Sequence, residues 1–231
     1  MSDPIRIFIT GGTQGIGRAV ALRFAREGAM VAIAARTSAD LDAVVAEIDA
    51  AGGSGEACQA NLRDHGSLEA AVFRAVDFFD GSIDVVVNNA GVVEFSDFEE
   101  VTIDAWERFL AVNMTGPYLV LAEAMPALRE SSRAHVFNIG AQLAEAPPKG
   151  AALLAATKAG VAGLGRALHA DLSEDGIRIT TVLPGPTDTP GLAPWKDRFA
   201  GQELSTPEAV ADAIWDTYHA DVAPLELRIQ K

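Results

Sequence analysis

The chain has 231 residues, with 18 Lys and Arg against 32 Asp and Glu, a formal charge of -14, 49% hydrophobic and 22% charged residues. That apolar content fills one sizeable core and excludes intrinsic disorder, and the acidic balance argues against a nucleic-acid or anionic-membrane partner. One cysteine, Cys58, excludes an internal disulfide, and His65, His135, His169 and His219 show no metal-ligand spacing, so no metal is expected.

Short apolar runs alternate with helical periodicity. Ile5 to Thr10 is predicted as a first strand, followed by a helix from Gly15 to Glu27 with Ile16, Val20 and Phe24 on one face. A second strand spans Met30 to Ala34. Ser38 then caps a helix to Ala50, which Gly52 and Gly53 end. A third strand covers Glu56 to Ala60, a helix Ser67 to Phe79, and a fourth strand Ile83 to Val87. One long helix is expected within Thr102 to Leu128, then a strand at Ala134 to Ile139 and an alanine-rich helix from Ala151 to Leu172. Ile177 to Leu183 is the sixth strand, Pro207 to Tyr218 the last helix, and Leu225 to Ile229 a seventh strand.

Apolar strands joined by helices of crossover length give an α/β fold. It is a doubly wound parallel sheet of about seven strands with helices on both faces, a Rossmann-like three-layer sandwich. No linker divides the chain, so residues 1–231 form a single domain. Pro184 to Gly201 holds four prolines and little periodicity, and a substrate-side loop is expected around 184–206. No leader pattern precedes the first strand and no apolar run reaches about 18 residues, so a cytoplasmic protein without a membrane span is expected.

The first strand runs into Thr10-Gly11-Gly12-Thr13-Gln14-Gly15-Ile16-Gly17, and a helix opens on the last glycines. Missing Cβ atoms let a diphosphate approach the backbone, and the helix start offers free N–H groups and positive potential. The second strand ends at Ala34-Ala35-Arg36, where an acid would hold the ribose hydroxyls of NAD. Arg36 instead offers a cation for a 2′-phosphate, which favours NADP over NAD. Arg36 is also readable as a solvated residue or an adenine stack, and Gln14 adds no second positive charge.

With these residues the chain resembles the short-chain dehydrogenase/reductase family over nearly its whole length. Thr10 to Gly17 is similar to that family's T-G-x-x-x-G-x-G, and Asn88-Asn89-Ala90-Gly91 to its N-N-A-G. Asn113 resembles its structural and catalytic asparagine, and Pro184-Gly185-Pro186-Thr187 with Asp188 and Thr189 its nicotinamide-side segment. Asn61, followed by Leu62, stands where the family usually has an aspartate near the adenine. The resemblance implies a pyridine nucleotide held along these segments, a small-molecule substrate, carbonyl or hydroxyl redox chemistry, and a homo-tetramer or homo-dimer paired through the long helices.

The family's central pair is a tyrosine and a lysine four residues apart. The lysine is Lys158, which by the resemblance binds the nicotinamide ribose, but four residues before it stands Leu154. Spacing four puts both on one helix face, and an alkyl group has no proton to give. The family's serine, about 13 residues earlier, is replaced by Ala141. The only tyrosines are Tyr118 and Tyr218, and neither frame rescues the pair. Glu94 and Gln142, with Glu145 further off, are polar groups expected near a substrate. Each reads first as an ordinary polar residue. Trp195 and Phe199 are expected either to cover the pocket or to pack beneath the loop. Three functions remain open. The first is an atypical NADP(H)-dependent oxidoreductase on an activated carbonyl, imine or enone. The second is an inactive nucleotide-binding sensor or structural subunit. The third is a non-redox lyase, isomerase or cyclase.

Overall fold

A computed structural model describes residues 3–229. Seven parallel strands form one sheet: β1 (Arg6–Thr10), β2 (Met30–Ala35), β3 (Ser54–Gln59), β4 (Val85–Asn88), β5 (His135–Ile139), β6 (Arg178–Leu183) and β7 (Glu226–Arg228). Their order is β3-β2-β1-β4-β5-β6-β7, so the direction of winding reverses between β1 and β4. The helices are α1 (Gly15–Ala25), α2 (Ser38–Ala50), α3 (His65–Phe78), α4 (Ile103–Leu110), α5 (Gly116–Arg129), α6 (Ala152–Leu172) and α7 (Pro207–His219).

Strand alternation builds the core on both faces. Ile7, Ile9, Val85 and Val87 point to one side, where they meet Phe24 of α1, Leu41 and Ile48 of α2, and Ile214 of α7. Phe8 and Val86 point to the other, against Leu68 of α3, Val120 and Leu128 of α5, and Leu172 of α6. This is the expected doubly wound sheet. A third apolar cluster lies beyond the carboxyl ends of the strands: Phe95, Phe109, Ala151, Leu153, Leu154, Leu192 and Phe199.

Several boundaries differ from the sequence expectation. Thr37, not Ser38, occupies the cap position of α2, and its side chain makes no capping bond. The segment expected as one helix from Thr102 to Leu128 is α4 and α5 joined by a π-helical turn at Ala111–Thr115, around buried Asn113. Neither glycine nor proline marks that turn's centre. A tertiary demand explains it, because the wider turn carries Asn113 inward to bonds described below. β3 begins at Ser54 and α3 at His65, where Asp64 accepts a hydrogen bond from Ser67 N at 3.1 Å. The proline-rich loop contains a 3₁₀ helix over Ala193–Phe199. No described helix is long and apolar enough to cross a membrane.

Candidate active site

Parallel strands present their carboxyl ends on one edge, and a cleft opens there at the β1–β4 reversal. It measures about 660 Å³. One end of it is the turn from β1 into α1. Gly11 (φ +66°) and Gly15 (φ +53°) take left-handed backbone that side chains rarely adopt. A Cβ on Gly17 would lie 2.3 Å from the Gly11 carbonyl oxygen, so only glycine lets the helix start close on the loop. Gln14 precedes α1 without a side-chain capping bond, and the first turn holds no acid. The first N–H groups of α1 are thus left for an anion.

Two polar side chains hold this loop to β4. Thr10 Oγ1 accepts from Asn89 N (3.1 Å) and Ala90 N (3.2 Å). Asn89 Nδ2 donates to the carbonyl oxygens of Thr10 (2.9 Å) and Gly11 (3.0 Å). Deeper in the sheet, Asn88 Nδ2 donates to Asn138 Oδ1 at 2.9 Å, joining the ends of β4 and β5.

Of the residues singled out in the sequence, Gly11, Thr13, Gln14, Gly15, Ile16, Arg36, Asn61, Leu62, Asn89, Ala90 and Gly91 line this cleft. So do Ala141, Leu154, Lys158, Pro184, Gly185, Thr187 and Thr189. Gly17 and Asn113 do not: Gly17 packs behind the loop, and Asn113 stands behind the wall. Asn113 Oδ1 accepts from Val92 N at 2.7 Å. Its Nδ2 donates to Val92 O and to Thr157 Oγ1, both at 3.1 Å. The amide therefore fixes the chain after β4 to α6, with both Nδ2 protons committed. Thr157 is equally committed, to Asn113 and the carbonyls of Leu153 and Leu154.

Sequence reading missed Thr37, Asp40, Arg63, Val92, Val93, Phe95, Arg108 and Leu143, which also line the cleft, Arg63 and Arg108 lining a second hollow together as well. Arg63 brings a second cation into the cleft with Arg36, and Asp40 brings an acid. Arg63 lies two residues past Asn61 at the mouth of β3, the one local signal for it. The rest come from segments that only the fold brings together.

Farther along the cleft, Lys158 is buried, and its Nζ donates to Ile139 O at 2.6 Å. Burial pushes the amine pKa down to about 8. Leu154, one turn earlier on α6, is 2% exposed and forms part of the apolar cluster with Phe95, Phe199 and Leu192. Among the described residues no tyrosine or serine lines the cleft. Tyr118 lies exposed on α5, and Tyr218 is buried on α7 against Phe24.

Three sequence candidates fare differently. Glu94 lines the cleft, but Arg108 grips both carboxylate oxygens at 2.6 Å and holds its pKa below the usual carboxylate range. Gln142 turns away: its Nε2 donates to Leu183 O (3.1 Å) and Ile229 O (3.0 Å). Glu145 pairs with Arg228 outside the cleft. The expectation of Gln142 beside a substrate is corrected, because the carboxamide satisfies strand-end carbonyls instead. Trp195 packs under the loop, donating to Val93 O at 3.2 Å and contacting Phe95, while Phe199 both packs on Phe95 and lines the cleft.

The glycine cradle and uncapped helix start fit a dinucleotide diphosphate, and Lys158 fits a ribose hydroxyl. No described group of His, Cys, Asp and Glu side chains is arranged to hold a metal ion.

A family model described as short chain dehydrogenase matches residues 6–198. The chain is 37% identical over 182 residues to a 2,5-dichloro-2,5-cyclohexadiene-1,4-diol dehydrogenase of Sphingobium indicum, covering 79% of this chain and 72% of that one. A short chain dehydrogenase from Burkholderia cenocepacia in complex with NADP superposes with a TM-score of 0.87 at 32% identity, covering 98% of this chain and 96% of that one. The 3-ketoacyl-(acyl-carrier-protein) reductase from Brucella melitensis complexed with NADH gives 0.88 at 28%, covering 96% and 95%.

Proposed function

The chain belongs to the short-chain dehydrogenase family, and from that premise we propose that it is an NADP(H)-binding reductase working without the family's tyrosine. Bound nicotinamide supplies hydride. The protein's part is to hold the nucleotide diphosphate on the start of α1, the ribose on Lys158 and the adenine side between Arg36 and Leu62. The observation that carries this reading is a cleft complete at its phosphate end and lined at its reactive end by Leu154, Ala141 and one buried amine.

Arg36 and Arg63 favour a 2′-phosphate, and Asp40 tempers that preference. General acid catalysis is worth about 10²–10⁴-fold, so the substrate is an acceptor already activated toward hydride: a polarised carbonyl, an imine or an enone. The wall of Leu154, Phe95, Phe199 and Leu192 suits an apolar body. Pairing of two copies through the long helices is supported by Ile103, Trp106 and Tyr118, exposed on α4 and α5.

The absence of tyrosine and serine from the described cleft lining also favours a second reading, a nucleotide-binding protein without turnover. One paired experiment separates the two. Tryptophan fluorescence, reported by Trp195 beside the cleft, is titrated with NADPH and NADH. Oxidation of NADPH is then followed with a panel of ketones, imines and enones. Tighter NADPH binding and turnover confined to activated acceptors are expected. Binding without turnover on any acceptor selects the second reading.

A further inference from the structure

We propose that Lys158 itself is the terminal proton donor of this cleft, a task beyond holding ribose; the inference rests on the reductase reading above. Reduction of a carbonyl leaves an oxygen that needs one proton. Among the described residues, the threonine hydroxyls at the cleft, Thr189 included, are too weakly acidic to give up a proton, and the carboxylates near the reactive end are paired. Glu94 is locked to Arg108 across the mouth. Thr187 Oγ1 donates to Gly185 O at 3.0 Å, and Thr157 donates along α6. Asp188, on the loop after β6, pairs with Lys196. Arg36, Asp40 and Arg63 belong to the adenine end.

Lys158 differs from all of these. Its ammonium carries three protons and has one protein acceptor, the Ile139 carbonyl at 2.6 Å. A neutral amine keeps that bond with one proton and remains anchored after losing another. Lys158 lines the cleft, and glycine at position 91 leaves the space beside its amine unfilled, since a Cβ there would stand 3.5 Å from Nζ. Leu154 ends well short of the reach of a tyrosine hydroxyl, so an acceptor oxygen approaches Nζ directly or across one water. Burial without a neighbouring anion brings the amine pKa to about 8, near enough to neutrality for the proton to leave and return. In balance, hydride brings two electrons and one hydrogen to the acceptor carbon. One N–H bond of Lys158 breaks as the acceptor O–H forms, and solvent returns a proton to the neutral amine.

Three measurements test this. In nucleotide-free protein, trace acetylation across pH with mass spectrometry reads the ionisation of Lys158 against exposed Lys149 and Lys196. A midpoint near 8 is expected, and one at the ordinary lysine value overturns the proposal. Lys158→Arg keeps a cation for ribose but cannot deprotonate. At saturating NADPH it should lose at least about 100-fold in turnover, with NADPH affinity by fluorescence changing far less. If arginine is not accommodated, Lys158→Ala is supplied with methylamine and fluorinated ethylamines, and the restored rate should follow the pKa of the amine. Rescue indifferent to that pKa, or wild-type turnover in Lys158→Arg, sinks the proton-donor role and leaves the reductase reading standing. Wild-type protein that binds NADPH and turns over nothing sinks both.

Discussion

Leu154 removes a phenol from the cleft and also serves as wall material, packed with Phe95, Leu192 and Phe199. Replacing it therefore has two consequences. Leu154→Tyr with Ala141→Ser restores a proton donor above Lys158 and should raise NADPH-dependent reduction of plain ketones at least about 100-fold. It should also cost about 1–3 kcal/mol of stability where the ring crowds the cluster. Steady-state absorbance and denaturant titration read the two effects separately, and no gain in rate would mean that the pocket has diverged beyond these two positions. Lys158 and Leu154 were legible in the sequence because spacing four on a helix fixes a shared face. The Glu94–Arg108 pair was not, since two residues with no common periodicity meet only after the chain past β4 folds against α4.

The turn from β1 into α1 shows how an element is set by its neighbours. Thr10→Val keeps the shape of the side chain and deletes the hydroxyl that serves two backbone N–H groups, Asn89 and Ala90. A loss of about 1–3 kcal/mol is expected by denaturant titration, with weaker NADPH binding as the loop loosens. Gly17→Ala should act more severely on binding, by at least about tenfold, because its Cβ would meet backbone at 2.3 Å; a fluorescence titration would detect this. Glycine pattern and strand-to-helix order made this element readable in advance. The π-helical turn around Asn113 was not readable, because it answers to Val92 and Thr157, partners 21 and 44 residues away.

Across the whole molecule, the amino ends of the strands carry a buried polar layer remote from the cleft. Asp84 is fully buried. Burial pushes its pKa up, but Arg6, Arg133 and Ser131 outweigh that and hold it below the usual range. His135 stacks on Phe137 and is also fully buried. Thr180 gives its only proton to Pro224 O, so His135 Nε2 donates to Thr180, and Nδ1 is left without a partner. Burial, then Arg178, pushes the imidazole pKa down to about 2 from 6.5. The unfolded chain therefore binds a proton that the folded one refuses. This contribution to stability is complete above pH 6.5 and falls as pH drops below it, by about 1.4 kcal/mol per unit. Asp84 adds its own loss only below about pH 4, the usual carboxylate range. Denaturant midpoints should decline from pH 6.5 to 5 in the wild type and stay flatter in His135→Phe. The sheet order and two-faced core were legible from strand alternation, whereas this layer was not, because its members are spread over β1, β5 and β6 and the segments just before β4, β5 and β7. At the opposite edge, the loop that bears Ala141 is moored through Gln142 to Leu183 and Ile229, and through Glu145 to Arg228. Editing residues 226–229 therefore amounts to editing the cleft wall at Ala141, and ligand-binding comparisons belong on protein left unaltered there.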